Sequence, residues 1–569
     1  MKPSPGSRWA MRLTVPCMEG QIMAINSCGE PILSVCVQEG RLRCLFTTLN
    51  DKLCFELEAS PVPPEIILEW LGFSVRLYAN GELLDEEWPL GELIGSDWEI
   101  DCDSSWEFVE PGSVKTDQES KFTEPMQYFN LQGSNTGVGD CMPFARDGRY
   151  CLYYLFDRRG HKSKAGLGAH QWAQISSADL KTWTIHPMAV PITEQWEGSI
   201  CTGSLIQIDG RTYAFYAVRM SDKSPARMTW AISDDGVRFE KSGSYFALTE
   251  PYEPVSARDP MVFLGVDGRY HMLVTTSLTT IKRYNGCLAH LVSDDLHSWE
   301  QLEPMIVPGY ADQPECSDYF EWNGWYYLVF SNFATARYRM SKKPFGPWIK
   351  PEYDILDSIE NQVPKTAPYG KRRFITGFLA RYPRTYAGNA VTHELVQREN
   401  GTLGIKFVHE ILPVFSRTID VPDIGIVSEE GRTESIIAEK ISGFRLRGNF
   451  LLDGDAALGG FVLTIDTLEH RIDFNPFTRI ISAMRPNQNF HMGDTRLQLT
   501  GINLSRNMAL DMIVKDDILD LVIGEKAMTI RLNASAELMC TLSAYVQTGA
   551  LSLTDIIIET EGEHVLIRN

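Results

Sequence analysis

Runs of aromatic and aliphatic residues recur along the middle of the chain, and each run follows a tight-turn dipeptide directly. The four clear examples are Asp147-Gly148 before RYCLYYLF, Asp209-Gly210 before RTYAFYAV, Asp267-Gly268 before RYHMLVTT and Asn323-Gly324 before WYYLVFSN, and a degenerate Tyr369-Gly370 precedes KRRFITGFLA. Asp-Gly and Asn-Gly supply the positive φ angles of two-residue hairpin turns, and aromatic or β-branched runs are typical of strands. The pattern therefore predicts a series of β-hairpins.

A second landmark follows each of the first four hairpins, with a serine, polar turn residues and then a large aromatic residue. The four segments are SSADLKTW (176–183), SDDGVRFE (233–240), SDDLHSWE (293–300) and SKKPFGPW (341–348). The full unit recurs roughly every fifty to sixty residues, a period typical of β-propeller blades of about four strands each. Four clear units and a weaker fifth predict a five-bladed β-propeller over residues 125–390. Unrelated hairpins in a β-sandwich are the alternative, but two landmarks repeating in the same order favour the propeller.

The segments on both sides of this repeat also have the patterns of short strands. Residues 1–115 contain CLFTTLNDKLCFELEA and a hairpin pattern, VRLYANGELLDEEW, and residues 405–569 contain FRLRGNFLLDG, GGFVLTIDT and DMIVKDDILDLVIG. We find no long helical pattern, so the predicted fold is all-β. We expect a lectin-like or laminin-G-like β-sandwich as an N-terminal accessory domain, the propeller as catalytic domain, and a C-terminal β-sandwich. The N-terminal sandwich is expected to serve packing or oligomer contacts before independent sugar binding.

Composition narrows the class of protein. A chain of 569 residues is long enough for about three domains, and its 44% hydrophobic and 22% charged residues are ordinary for globular proteins. The formal charge of −21 argues against a nucleic-acid or anionic-membrane partner. The twelve cysteines show no C-x-x-C pair or metal-ligand spacing, so we expect no metal and no cofactor. We find no apolar signal-peptide core and no membrane-spanning run, and therefore expect a cytoplasmic protein.

Three acidic residues occupy equivalent places in their repeat units. Asp140 in GDCMPF, Asp259 in ARDPMVF and Glu315 in PECSDYF each precede a turn dipeptide by about eight residues, so the symmetry of a propeller would bring them to one mouth of its channel. In the second unit Thr202 and Ser204 stand at that place, and such small hydroxylated side chains would leave room for a ligand. A group of carboxyls suits glycoside hydrolysis, in which one acts as nucleophile or base and another as acid. Singly, each acid would be read as a turn or capping residue.

At these residues the chain resembles glycoside hydrolase family 32, the β-fructosidases. The resemblance is carried by five segments: Arg258-Asp259-Pro260, Glu315-Cys316, QWAQISSADLKTW (171–183), CTGSLI (201–206) and THELVQRENGTL (392–403). It covers residues 130–410 well and the C-terminal segment weakly. It implies a five-bladed propeller followed by a β-sandwich. It also implies retaining cleavage of β-fructofuranosyl linkages, as in sucrose, fructo-oligosaccharides or fructans.

The resemblance also implies a role for each matched residue. Asp140 would be the nucleophile and Glu315 the general acid and later the base. Asp259 would hydrogen-bond sugar hydroxyls and stabilise the transition state. Arg258 would orient the acids and the sugar, and Cys316 would pack beside Glu315 and tune it. Residues of the similar blocks, Trp172 among them, are expected to contact substrate.

The first signature block departs from the family pattern. The family usually has Trp-Met-Asn-Asp-Pro-Asn-Gly, whereas this chain has GVGDCMP at 137–143, and a common glutamine is replaced near Leu155. The segment FDRRGHKSK follows. Asp157, Arg158 and His161 are therefore candidates for substitute hydrogen bonds to the sugar, with an ordinary charged loop as the alternative.

Three other functions remain open from the sequence. The first is a propeller glycosidase of the arabinanase or xylosidase kind, which commonly inverts configuration. The second is a glycoside phosphorylase, which would need a basic phosphate pocket such as Arg158, Arg159, Lys162 and Lys164 would make. The third is a non-catalytic carbohydrate-binding propeller, which the altered first block favours. The expected partner is a fructoside, either a small molecule or an oligosaccharide, and the sandwich domains offer surfaces for a homo-oligomer.

Overall fold

The computed structural model describes residues 7–567, except for 17, 28, 49–53, 92, 94–97, 115–118, 132, 134, 382–385, 485–495, 500–505, 533–538 and 562–564. The all-β prediction is confirmed, because nearly all regular secondary structure among the described residues is β-strand. The exceptions are a helical turn at Ser163–Gly166 and a 3-10 turn at His409–Ile411. No helix among the described residues is long and apolar enough to cross a membrane.

Two five-stranded antiparallel sheets form at the N-terminus. In spatial order the first contains β10 (Trp106–Val109), β1 (Trp9–Thr14), β6 (Glu65–Trp70), β7 (Val75–Ala79) and β8 (Glu82–Glu87), and the second contains β5 (Cys54–Ala59), β4 (Arg41–Thr47), β3 (Glu30–Gln38), β2 (Gly20–Ser27) and β9 (Trp98–Cys102). Apolar residues alternate along these strands and meet in one core shared by both sheets. The edge strand β8 differs, since its last three residues are acidic and buried.

The middle of the chain forms antiparallel groups of strands, each built around one of the hairpins that the turn dipeptides predict. Group 1 contains β11 (Ser120–Phe122), β12 (Thr136–Arg146), β13 (Arg149–Arg158), β14 (Gln171–Ser177) and β15 (Trp183–Ile185); group 2 contains β16 (Glu197–Ile208), β17 (Arg211–Met220), β18 (Arg227–Ser233) and β19 (Glu240–Phe246); group 3 contains β20 (Arg258–Leu264), β21 (Tyr270–Ser277), β22 (Gly286–Ser293) and β23 (Glu300–Gln301). Group 4 contains β24 (Glu315–Trp322), β25 (Trp325–Asn332) and β26 (Thr335–Ser341), and group 5 contains β27 (Asn361–Tyr369), β28 (Arg372–Ala380), β29 (Gly388–Gln397) and β30 (Leu403–Phe407). Groups 1 and 5 join into one sheet through the pair Val138 and Gly388.

Hydrophobic cores lie between successive groups and close into a ring. One core joins groups 1 and 2, a second joins groups 2 and 3, a third joins groups 3 and 4, a fourth joins groups 4 and 5, and a fifth joins group 5 back to group 1. Both faces of these strands are therefore buried, which explains their nearly continuous apolar sequences.

A β-bulge interrupts the first hairpin strand of every group at a corresponding place. The register shifts lie between Val138 and Cys141 in β12, between Ile200 and Gly203 in β16, between Arg258 and Met261 in β20, between Glu315 and Asp318 in β24, and between Gln362 and Lys365 in β27. A bulge leaves residues without a partner in the ladder and re-aims their side chains. Asp259, Cys316 and Val363 have positive φ angles at these bulges.

The C-terminal strands form one twelve-stranded antiparallel set around a single large core. The strands are β31 (Arg417–Val421), β32 (Ile424–Ile441), β33 (Phe444–Leu452), β34 (Leu458–Ile465), β35 (Leu468–Asn475), β36 (Ile480–Met484), β37 (Arg496–Leu499), β38 (Met508–Lys515), β39 (Ile518–Ile523), β40 (Lys526–Arg531), β41 (Cys540–Thr560) and β42 (Leu566–Ile567). Residues of β38, β39 and β40 also pack against groups 4 and 5.

Candidate active site

The bulged residues of all five groups line one cavity of about 240 Å³. They are Asp140 from group 1, Cys201 and Thr202 from group 2, Arg258 and Asp259 from group 3, Glu315 and Cys316 from group 4, and Gln362 and Val363 from group 5. The remaining lining residues are Leu155, His161, His170, Ser199, Arg219, Ala334, Phe378 and Tyr386. The repeated bulge thus turns side chains from five sheets toward one space.

Asp140 is held by hydrogen bonds to both of its carboxyl oxygens. Tyr386 donates its hydroxyl to Oδ1 across 2.7 Å, and Thr202 donates Oγ1–H to Oδ2 across 2.5 Å. The thiol of Cys316 lies 3.4 Å from the same Oδ2. Donors from groups 2 and 4 and from the β28–β29 connection therefore fix the plane of this carboxyl group.

The glycine before Asp140 makes room for Tyr386. A Cβ atom at Gly139 would lie 2.6 Å from the tyrosine hydroxyl oxygen, far inside van der Waals contact. The family pattern has asparagine at this place, so the departure in the first block coincides with a tyrosine side chain that fills the space. Tyr386 also accepts a hydrogen bond from the Asp140 backbone N–H across 3.3 Å.

Cys316 bridges two of the acids. Its Sγ lies 3.4 Å from Asp140 Oδ2 and 3.6 Å from Asp259 Oδ2, and its backbone N–H donates to Asp259 Oδ2 across 3.0 Å. Because both carboxyl oxygens lie so close to one sulfur atom, the two groups share one corner of the cavity.

Arg258 links the third acid to this corner. Its Nη2 donates to Glu315 Oε1 across 2.7 Å, and its Nε lies 3.8 Å from Asp259 Oδ2. Gln313 fixes the guanidinium from behind by accepting from Nη1 across 2.5 Å. The three acids that the repeat predicts are therefore gathered around one arginine and one thiol.

Burial raises the pKa values of two of the acids and of the thiol beside them. Burial raises the pKa of Glu315, the Arg258 charge opposes this, and the neighbouring Asp259 and Asp140 raise it further. Burial likewise raises the pKa of Asp259, which is 3% exposed. Burial raises the pKa of the Cys316 thiol well above its usual value, so it is a neutral donor and not a thiolate.

A pair of histidines lines the cavity beside Tyr386. The His161 and His170 rings lie 4.8 Å apart between centroids, and His170 stacks on Tyr386 at 4.8 Å. Arg219 Nη1 lies 3.3 Å from His161 Nε2. Burial lowers the pKa of His161 to about 4, with contributions from His170 and Arg219, so this ring is neutral at ordinary pH.

The structure brings most of the predicted site residues together. Asp140, Asp259, Glu315, Arg258, His161, Thr202 and Cys316 all line the cavity. Asp157, Arg158, Trp172 and Ser204 do not: their positions give no support to the predicted sugar contacts.

Each of these four side chains has another place in the fold. Asp157 is fully buried and accepts from the backbone N–H groups of Gly160 and His161, so it holds a loop. Arg158 points toward β8. Trp172 lies in the core between groups 1 and 2, and its indole N–H donates to a backbone carbonyl. Ser204 accepts from the Val262 backbone N–H and lines a second cavity.

Several residues in or next to the cavity have no counterpart in the sequence prediction. Tyr386 and His170 contact the acid site, and Gln313 supports Arg258, yet none stands at a repeated position of the hairpin units. Gln313 lies two residues before Glu315, so its closeness to that acid was the available signal. Nothing local marks Tyr386, which comes to Asp140 from 246 residues away.

The basic cluster considered for phosphate binding lies outside the cavity. Arg159 pairs with Asp85 and Glu87, and Lys164 Nζ donates to the Glu197 carbonyl across 2.6 Å. These charges already have partners. Among the residues that the structure describes, no group of three or more His, Cys, Asp or Glu side chains is arranged to hold a metal ion.

Comparison with known proteins agrees with this geometry. The family model described as "Glycosyl hydrolases family 32 N-terminal domain" matches residues 142–343, a range that contains Arg258, Asp259 and Glu315 and begins just after Asp140. The sucrose-6-phosphate hydrolase of Bacillus subtilis (strain 168) is 29% identical over 178 residues, which cover 30% of this chain and 36% of that protein. The levanbiose-producing levanase of the same organism is 25% identical over 219 residues, covering 37% of this chain and 39% of that protein. The match thus spans little more than a third of either relative.

Solved structures share the fold over a longer range. Fructan 1-exohydrolase IIa from Cichorium intybus aligns with a TM-score of 0.60 and 16% identity, covering 77% of this chain and 98% of that one. Sucrose-6-phosphate hydrolase from Lactobacillus gasseri aligns with a TM-score of 0.57 and 18% identity, covering 76% and 93%. At these identities the likeness concerns the fold alone.

Proposed function

Because this chain belongs to glycoside hydrolase family 32, we propose that it is a retaining hydrolase of β-fructofuranosyl linkages. The proposed substrates are sucrose, fructo-oligosaccharides or fructans. The observation that carries the proposal is the meeting of Asp140, Asp259 and Glu315 around Arg258 and Cys316 in one cavity. The activities named for the relatives above point in the same direction.

The same proposal includes the architecture. We interpret the five strand groups as the five blades of a propeller over residues 125–390, and the repeated bulge and closed ring of cores support this interpretation. We interpret residues 1–115 and 405–569 as flanking β-sandwich domains. The active site then lies where the first strands of the five blades converge.

Asp140 would attack the anomeric carbon. The donors Tyr386 and Thr202 hold its two oxygens in a fixed plane, so the carboxylate needs little reorganisation before it forms a fructosyl ester. Asp259, fixed by the Cys316 backbone N–H, would accept hydrogen bonds from sugar hydroxyls that strengthen as the ring gains positive charge.

Glu315 would protonate the leaving oxygen and later deprotonate water. Burial and two acidic neighbours raise its pKa, so it retains a proton closer to neutrality than an exposed glutamate would. Arg258 orients the carboxyl group through Oε1. Once the leaving group has departed, the same Glu315 carboxylate is positioned as the base for hydrolysis of the ester.

Product analysis tests the proposal. Purified protein is incubated with sucrose, short fructans and difructose compounds, and released fructose is measured; with methanol as acceptor, a retaining enzyme forms methyl β-fructofuranoside. Glu315→Gln should lower kcat by about 10²–10⁴-fold, the usual value of general acid–base catalysis. Glu321→Gln, an exposed glutamate on the same strand, is the matched control and should leave kcat unchanged.

The alternatives give different results. The α-configured methyl fructoside would indicate inversion, and phosphate-dependent release of a sugar phosphate would indicate a phosphorylase. Sugar binding without turnover of any of these compounds would indicate a binding protein. Each of these results would overturn the proposal.

A further inference from the structure

The loop between β13 and β14, residues 159–170, forms the cavity wall beside Asp140. His161 and His170 from this loop line the cavity. His170 stacks on Tyr386 with an angle of 24° between the rings, and Tyr386 donates its hydroxyl to Asp140. The position of the loop therefore affects the shape of the cavity, whereas the hydrogen bond to Asp140 comes from Tyr386, which lies outside the loop.

The backbone of this loop is strained. Five of its residues other than glycine have φ angles between 48° and 72°, namely Arg159, His161, Lys164, Ala165 and Ala169. Side chains disfavour this left-handed region because Cβ approaches the neighbouring carbonyl oxygen. A loop with so many such residues keeps its shape only when contacts outside it fix the conformation.

Contacts within the central region supply part of that constraint. Asp157 accepts from the backbone N–H groups of Gly160 and His161, each across 2.8 Å, and lies 3.0 Å from His170 Nε2. Arg219 donates to the Leu167 carbonyl across 3.3 Å. These contacts fix the two ends of the loop.

The edge strand β8 of the N-terminal sheets supplies the remaining contacts that constrain the loop. Arg159 donates from Nη2 to Asp85 across 2.6 Å and from Nη1 to Glu87 across 2.8 Å. The other oxygen of Glu87 accepts from the Lys164 backbone N–H across 2.7 Å. The Asp85 and Glu87 side chains are 0% and 8% exposed. Hydrogen-bonded ion pairs this deeply buried are costly to separate, so they hold the middle of the loop against β8.

We propose that the N-terminal sheets position the sugar-binding wall of the active site through these contacts of Asp85 and Glu87 with the loop. Arg159 is the positioning residue, and His161 is the residue on the wall that contacts the sugar. The N-terminal sheets are then a part of the site that determines substrate affinity. The inference rests on the proposed function, since the sugar is the fructosyl unit whose anomeric carbon Asp140 attacks.

Steady-state kinetics on the full chain test this assignment. Arg159→Gln should raise KM about tenfold, the value of roughly one hydrogen bond, and change kcat less than about threefold. Arg12→Gln is the matched control, because Arg12 lies on β1 of the same N-terminal sheets in an exposed ion pair with Glu107. It should leave both constants unchanged.

A double-mutant cycle separates positioning from general destabilisation. His161→Ala alone should raise KM by a similar factor, and Arg159→Gln combined with His161→Ala should raise it little further, because both changes remove one wall. If the double mutant raises KM by the product of the two single-mutant factors, the inference is wrong. An unchanged KM in Arg159→Gln would also overturn it.

Hydrogen exchange gives a readout that does not depend on activity. Peptides covering 157–170 should exchange faster in Arg159→Gln than in the wild type and should be unchanged in Arg12→Gln. If Arg159→Gln does not fold, Glu87→Gln serves in its place, since it removes the charge and keeps the side-chain length. If the wild type turns over no fructoside while the loop still exchanges faster in Arg159→Gln, the proposed function alone is refuted. Unchanged exchange would refute the positioning by β8.

Discussion

Tyr386 donates its hydroxyl to Oδ1 of Asp140 across 2.7 Å, although 246 residues separate the two in sequence. The contact depends on Gly139, because any side chain there would collide with the tyrosine ring. The Tyr386 phenol is partly buried, and that burial together with the Asp140 charge raises its pKa well above the usual value, so it stays a neutral phenol that donates its proton to this carboxylate. The altered first block and the tyrosine are thus two parts of one arrangement.

Replacing Tyr386 by phenylalanine should therefore lower kcat and leave KM almost unchanged. The variant loses one hydrogen bond to a charged group, worth about 1.5–3 kcal/mol, which corresponds to roughly a ten- to hundredfold loss of rate. Tyr369→Phe is the control, since its hydroxyl donates to the Ala178 carbonyl away from the cavity. A Tyr386→Phe enzyme with the kcat of the wild type would show that Asp140 needs no such support.

The pH profile should report on Glu315. The protonated carboxyl is the active form for leaving-group departure, so kcat/KM falls as pH rises through its pKa. Arg258 lowers that pKa against the effect of burial. Arg258→Met should therefore move the alkaline limb of the profile to higher pH while reducing the rate at the optimum. Arg269→Met, which removes an exposed arginine, should leave the limb in place; a limb that does not move in Arg258→Met would mean that another group controls it.

Cys316 should resist alkylation in the native protein. Its thiol is 2% exposed, and burial and three neighbouring acids raise its pKa, so the reactive thiolate is almost absent. Cys54 is exposed and should react with iodoacetamide first. Peptide mass mapping after brief labelling measures both rates. Equal labelling of the two cysteines would contradict the buried position of Cys316 between Asp140 and Asp259.

The sequence was informative where a local rule repeats. The turn dipeptides require positive φ, and Asp147, Asp209 and Asn323 have it in the structure. Because the hairpins repeat, the acids at equal distances before them could be placed together without coordinates, and Asp140, Asp259 and Glu315 do meet. The bulge that aims them was not predictable, since its residues differ in every group.

Contacts between the repeat units and residues outside them could not be predicted from the sequence. The segment FDRRGHKSK has the composition of a polar binding loop, but its arginines point to buried acids of β8, which no pattern connects to it. Trp172 has the aromatic character of a sugar-binding residue, yet it packs in the core between groups 1 and 2. Which face a side chain takes depends on the neighbouring sheet, and that information is non-local.

The C-terminal strands should contribute a pH-dependent share of the stability. His393 on β29 is 1% exposed, with Nε2 at 3.1 Å from Asp520 Oδ1 on β39 and Nδ1 at 3.7 Å from Asp357. Burial lowers the pKa of His393, but Asp520 and Asp357 raise it more, so the net shift is upward. A folded-state pKa above the unfolded value of about 6.5 stabilises the fold fully below that value, and the gain is lost as pH rises through the folded pKa.

His393→Gln should therefore destabilise the protein more in acid than in alkali. Removing one partner of a buried ion pair costs about 3–5 kcal/mol, because the remaining carboxylates are left buried without a cation. Urea unfolding of both proteins at about pH 6 and about pH 8.5, on either side of the ordinary histidine range, measures the difference. His409→Gln replaces a histidine of the 3-10 turn, for which no ion pair is found among the described residues, and should show no such pH dependence. An equal loss of stability at both pH values would mean that His393 does not change its charge in the fold between them, which would contradict the predicted pH dependence.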